Sequence, residues 1–145
     1  MSLFSTDRVL VPIDFSDGAF AALAETLDFV GDSSRVYTLH VLQRLEPTDP
    51  AVVWQTLDDQ ARKQHVEKAF FDRCSGPKYQ GIHFDVAIGN PSSEIVDYAK
   101  SHHISLIVIS PHGRTGPLGR FLLGSVAERV VRHASCPVLV VRQSL

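Results

Sequence analysis

Apolar and polar positions along this chain keep two rhythms in turn, a period of two or a continuous run, then a period near 3.6. Residues 8–14 form a short apolar run that predicts a first strand. Over residues 17–30, Phe20, Leu23, Ala24, Leu27 and Val30 recur at helical spacing, and Gly31 is a natural stop after them. Residues 35–42 predict a second strand through Val36, Leu39 and Val41. After a loop at 45–50, Asp49-Pro50 reads as an N-cap followed by proline at the first helical position. A polar second helix is expected from 51 to about 74, ended by Ser75-Gly76-Pro77. Residues 82–88 alternate at Ile82, Phe84, Val86 and Ile88, a third strand. Asn90-Pro91 repeats the capping device and opens a third helix to about 102 that buries Ile95, Val96 and Ala99. Residues 106–110 are apolar at almost every position, a fourth strand; residues 111–119 are a glycine-rich loop. A fourth helix is expected over 125–134, and Cys136-Pro137 separates it from a fifth strand at 138–141.

Strands that read as continuous apolar runs are buried on both faces, as parallel strands are. Their alternation with helices predicts an α/β fold, a doubly wound parallel sheet with helices on both faces. With 145 residues, no internal repeat and no linker, a single domain over 1–145 is expected. The net charge of −2 leaves no surplus of Lys and Arg to neutralise a phosphate backbone, so nucleic acid is not an expected partner. No stretch approaches the ~20 apolar residues of a membrane span, and the first fourteen residues lack a signal-peptide pattern. Cys74 and Cys136 form neither a CxxC pair nor a disulfide framework, which together with these features suggests a cytoplasmic location.

Open α/β sheets take ligands beyond the carboxyl ends of their strands, where the strand order reverses. The segment from Ser110 to Val126 is the richest candidate. It holds Gly113, Gly116, Gly119 and Gly124, four of the nine glycines, with Arg114 and Arg120. Glycines let backbone N–H groups approach an anion, arginines offset phosphate charge, and the helix that follows offers its N-terminus. A second reading stands beside this one: Ser125 and Glu128 have the spacing of a capping box, which accounts for Ser125 without a ligand. Ser125 stands where a Walker A loop needs lysine, and Gly113, Gly116 and Gly119 lack the first spacing of a dinucleotide fingerprint, so both of those sites are excluded. Asp14, at the carboxyl end of strand one, can accept hydrogen bonds from ribose hydroxyls; locally, helix capping shared with Ser16 or Asp17 is the better-supported role.

The chain resembles the universal stress protein family over nearly its whole length, and three segments carry the resemblance: Arg8-Val-Leu-Val-Pro-Ile-Asp-Phe-Ser16; Gly89-Asn-Pro-Ser-Ser-Glu-Ile-Val-Asp-Tyr-Ala99; and His112-Gly-Arg-Thr-Gly116, followed by the run from Leu122 to Val141. The resemblance implies a five-stranded, Rossmann-like sheet in the order 3-2-1-4-5, of the adenine nucleotide alpha hydrolase type, in which the loops after strands one and four share one crevice. ATP-binding members carry a G-x2-G-x9-G-[ST] motif, matched here by Ser110, Gly113, Gly124 and Ser125. The resemblance places phosphates and ribose at Gly113 and its neighbours, Gly124, Ser125 and Val126, and adenine and ribose near Pro12, Asp14 and Val41. It implies ATP as ligand, with AMP or cyclic AMP as alternatives, and Mg²⁺ arriving with ATP. Two departures are evident: Ser110 replaces the first glycine, and ten residues rather than nine precede Gly124.

Of the seven histidines, His102, His103 and His133 suit helix C-termini and His40 lies in a strand; none has zinc-ligand spacing. His112, in the glycine loop, is the one placed to meet a ligand, a solvated loop residue being the alternative. Trp54 belongs to a segment that either covers a ligand or shields the sheet. There is no G-x-S-x-G nucleophile elbow and no constellation for catalysis, so the expectation is a binding protein with at most slow ATP hydrolysis. Strand five is an apolar edge, and the resemblance implies a homodimer through residues Val138 to Val141. The competing expectation is a dimeric interaction module of the same family that binds no nucleotide.

Overall fold

In the computed structural model the described residues are 4–45, 58–111 and 123–142. Five parallel strands form one sheet in the order β3-β2-β1-β4-β5. They are β1 (Val9–Pro12), β2 (Val36–Leu42), β3 (His83–Ile88), β4 (Leu106–Ile109) and β5 (Val138–Val140). The helices are α1 (Asp17–Val30), α2 (Asp59–Arg73), α3 (Pro91–Ser101) and α4 (Ser125–His133). The expected α/β architecture and strand order are both found, with strand ends one or two residues shorter than the apolar runs that predicted them.

Alternate strand residues enter opposite cores. Val9, Val11, Val36, Leu106 and Val108 pack with α1 and α2 through Ala22, Leu23 and Phe70. Leu10, Leu39, Ile107 and Ile109 pack on the other face with α3 and α4 through Ile95, Ala99 and Val130. Because successive side chains of a strand point to opposite faces, a strand flanked by helix layers has to be apolar throughout. β4 meets that demand at all four positions. The buried hydroxyl of Thr38 donates to the His83 carbonyl at 2.6 Å, so this one polar intrusion is satisfied.

Local signals set the helix ends. Gly31 takes the left-handed conformation (φ 74°) that ends α1, and its N–H bonds the Leu27 carbonyl. Asn90 accepts from the Ser93 N–H with Pro91 at the first position of α3. Two expectations are corrected. The polar helix expected from 51 to about 74 does not run through Asp58, which is extended (φ −101°, ψ 168°) and caps α2 by accepting from the Ala61 N–H at 2.7 Å. The Asp49-Pro50 start and residues 51–57, Trp54 among them, lie outside the described residues. The Ser125–Glu128 capping box is not formed. The Glu128 N–H bonds the Gly124 carbonyl at 2.9 Å, which makes Gly124 the N-cap and Ser125 the first helical residue, and the Glu128 carboxylate pairs with Arg132. Among the described residues no helix is long and apolar enough to cross a membrane.

On the outer strands Tyr98 of α3 donates to Asp85 of β3 at 2.5 Å. Burial, reinforced by the Asp85 carboxylate, holds the Tyr98 phenol well above its ordinary value of 10.0. The folded chain therefore keeps this proton at alkaline pH where the unfolded chain releases it, and stability falls as pH rises above the unfolded value. Tyr98→Phe removes the titration. In urea unfolding followed from pH 9 to 11, the wild type is expected to lose roughly 1.4 kcal/mol more than the variant over the whole range, most of it above pH 10.

Candidate functional site

The order β3-β2-β1-β4-β5 places the point of reversal between β1 and β4. From β1 the chain winds one way to β2 and β3, and then returns to β4 on the other side. The connections leaving the carboxyl ends of β1 and β4 therefore diverge and open a crevice. The crevice has a volume of about 310 Å³. Pro12, Ile13 and Asp14 line it from the end of β1, and Leu39, His40 and Val41 from β2. Ile109, Ser110 and Pro111 close it from β4, and Gly124 to Ala127 from the start of α4. Seven residues singled out in the sequence, Pro12, Asp14, Val41, Ser110, Gly124, Ser125 and Val126, thus meet around one space. His112, Gly113, Arg114 and Gly116 lie outside the described residues, as does most of the glycine loop.

The turn from β1 into α1 is held tightly. Asp14 Oδ1 accepts from the Ser16 N–H at 3.0 Å and from the Ser16 hydroxyl at 2.5 Å. The same Ser16 oxygen accepts from the Ala19 N–H at 3.1 Å, so Ser16 is the N-cap of α1 and Asp14 orients that cap. Capping is therefore done by Ser16, with Asp14 one step behind it. Between them Phe15 stands at φ 64°, a region that costs a bulky residue about 1–3 kcal/mol. Asp14 is the one carboxylate among the described lining residues.

The far wall is built differently. α1, α2 and α3 are capped by the side chains of Ser16, Asp58 and Asn90. α4 begins at a glycine and has no side-chain cap. Its first-turn residues Ser125, Val126 and Ala127 line the crevice, so N–H groups without an intrahelical acceptor and the positive end of the helix dipole lie at the crevice wall. The Gly124 N–H is spent on the Pro111 carbonyl at 2.6 Å, which ties the start of α4 to the end of β4. The lining of the space thus combines a carboxylate, a set of anion-seeking donors, and an apolar part to which Val41, Ile95 and Ile109 contribute.

Pattern reading missed Pro91 and Ile95, which close the crevice from α3, and His40 and Ala19. The Asn90-Pro91 cap directly after β3 was a usable signal, since it puts the first turn of α3 at a strand's carboxyl end. Among the described residues no group of three or more His, Cys, Asp and Glu side chains is placed to hold a metal ion.

An open, doubly wound sheet with a crevice at its point of reversal defines a class of small-ligand-binding α/β proteins. Within that class, the chain belongs to the universal stress protein family, whose model matches residues 5–142. A universal stress protein of Methanocaldococcus jannaschii is 31% identical over 144 residues, covering 94% of this chain and 82% of its own. The solved structure of universal stress protein UspA from Lactobacillus plantarum superposes with a TM-score of 0.72 at 31% identity, covering 94% of this chain and 98% of the other. A universal stress protein solved in complex with cAMP shares the fold at a TM-score of 0.67 and 23% identity, covering 95% and 98% of the two chains.

Ser16→Ala removes the cap of α1 and the hydroxyl that donates to Asp14, leaving Asp14 only the Ser16 N–H. A loss of about 1 kcal/mol is expected in urea unfolding at neutral pH, with the midpoint lowered and the slope unchanged.

Proposed function

We propose that this chain binds an adenine nucleotide, ATP first, in the crevice between β1 and β4, and acts as a cytoplasmic regulatory protein of the stress response. The observation that carries the proposal is the uncapped start of α4 at the crevice wall, in a chain whose other described α-helices are all capped by side chains. Unsatisfied N–H groups and a helix dipole favour a phosphate there. Phosphates avoid the Asp14 carboxylate, so the ligand lies with its phosphates toward Gly124, Ser125 and Val126. Its ribose hydroxyls lie toward Asp14, a carboxylate that can only accept. Val41, Ile95 and Ile109 supply an apolar wall suited to a flat base. Ser110, the residue in place of the motif's first glycine, borders the same space without filling it. The cAMP complex of a fold neighbour supports the view that this architecture accommodates an adenine nucleotide. Mg²⁺ arrives with ATP, held mainly by phosphates and water. The protein is a binding protein with at most slow ATP hydrolysis.

Nucleotide carried by the purified protein, with titrations of ATP, AMP and cyclic AMP, tests this directly. Binding in the micromolar range is expected; none up to millimolar concentration overturns the reading in favour of an interaction module without nucleotide. Gly124 has φ −65°, ψ 159°, a conformation open to any residue. Gly124→Val should therefore leave the domain folded, with up to about 1 kcal/mol lost at the N-cap of α4, and lose at least about tenfold in affinity, the equivalent of one phosphate contact.

The chain also acts as a homodimer through β5. This strand pairs with β4 on one side, leaving its other edge open, and Leu139 is 48% exposed on it. Sedimentation at high micromolar concentration should give twice the monomer mass, and Leu139→Lys should shift it toward monomer; a wild-type monomer at that concentration sinks the proposal.

A further inference from the structure

His40 holds both neighbours of Asp14. Its Nδ1 lies 2.6 Å from the Ile13 carbonyl oxygen. A carbonyl can only accept, so Nδ1 carries a hydrogen whatever the charge of the ring. The same imidazole meets the Phe15 ring edge-on, with centroids 5.0 Å apart and planes at 85°. Phe15 is the residue in the left-handed region, and its other edge contact is to Phe20 at 5.6 Å. A bulky residue keeps such a conformation only when its surroundings fix it. Here one side chain of β2 fixes the residue before Asp14 by its backbone and the residue after it by its ring. Asp14 itself is exposed and, among the described residues, bonds only Ser16, both times through Oδ1. Nothing in its own turn aims Oδ2, which bonds no described residue.

We infer that His40 is a positioning residue for recognition of the ribose: it sets the turn so that the Asp14 carboxylate faces the sugar hydroxyls. The inference rests on the reading of the crevice as an adenine-nucleotide site with Asp14 on the ribose, and it adds how strand β2 decides sugar selectivity through the turn it holds.

The test compares ATP with 2′-deoxy-ATP by calorimetry in the wild type, Asp14→Asn, His40→Leu and His40→Asn. The wild type should prefer ATP by about tenfold, the size of one hydrogen bond to a charged group. Asp14→Asn and His40→Leu should both bring the preference within about twofold, because neither presents an aimed carboxylate. His40→Asn can place an amide N–H where Nδ1–H was but has no ring against Phe15, and should keep part of the preference. His40→Gln, whose amide reaches the Nε2 position, replaces His40→Leu should the latter not fold. A second arm needs no nucleotide. The Ser16 amide, bonded to Asp14 Oδ1, should shift in the NMR spectrum and exchange faster in His40→Leu, and return in His40→Asn. The inference is overturned by a His40→Leu or His40→Gln protein that keeps both the sugar preference and the Ser16 amide, or by a folded His40→Asn that fails as His40→Leu does. Should the wild type bind neither nucleotide, the nucleotide-binding reading falls and sugar recognition with it, while the Ser16 amide still decides whether His40 sets the turn.

Discussion

Strand β1 is the constraint on which the rest depends. Its four residues pair with β2 along their whole length and with β4 over Val9 and Leu10. Val9 and Val11 enter the core under α1 and α2, and Leu10 enters the one under α3 and α4. A slip of one residue would exchange these sets and place each against the wrong helix layer. Because the chain leaves β1 in one direction and comes back to its other side, the crevice is a by-product of this strand's central position. No separate element has to be built for it, and the residues that follow β1 and β4 are brought together by topology alone.

Most of the fold could be read from the chain because its local signals agree with its global demands. α1 begins at Asp17 and ends at Val30, where the apolar stripe and Gly31 bound it. The fully apolar β4 announced a two-sided burial that no half-exposed strand would need. What misled was a polar stretch that reads as one helix from 51 to 74 and hides the extended cap residue Asp58 within it. The helix that follows is anchored by packing of Phe70 on Phe84, whose rings stack at 4.2 Å, a contact no local pattern shows. In the same way Ser125 has the chemistry of an N-cap, but the backbone turns one residue earlier, at a glycine that has no side chain to donate or accept.

The site was legible as residue types and illegible as a surface. Asp14 and the Gly124-Ser125 pair stood out because charge and glycine are rare signals in apolar surroundings. Pro91, Ile95 and His40 did not, since a residue that lines a crevice by its place in a strand or first helical turn looks like any other core residue in one dimension. His40 is the clearest case. Its role comes from a hydrogen bond across 27 positions, to a carbonyl on a neighbouring strand's end, and no spacing rule reaches that far.

Phe70 is the one residue of α2 that is fully buried, and most of the helix is exposed and polar. Arg73, at its end, adds a guanidinium 3.7 Å over the Phe20 ring. The free energy that holds the layers is therefore unevenly spread: β1 and β4 are gripped from both faces, whereas α2 rests on an aromatic cluster of Phe70 and Phe71 with Phe20 and Phe84. Local opening follows such gradients. Among the described helices α2 buries the least of its surface, and the face beneath it, Phe20 and Phe84, is the surface that its lifting would uncover.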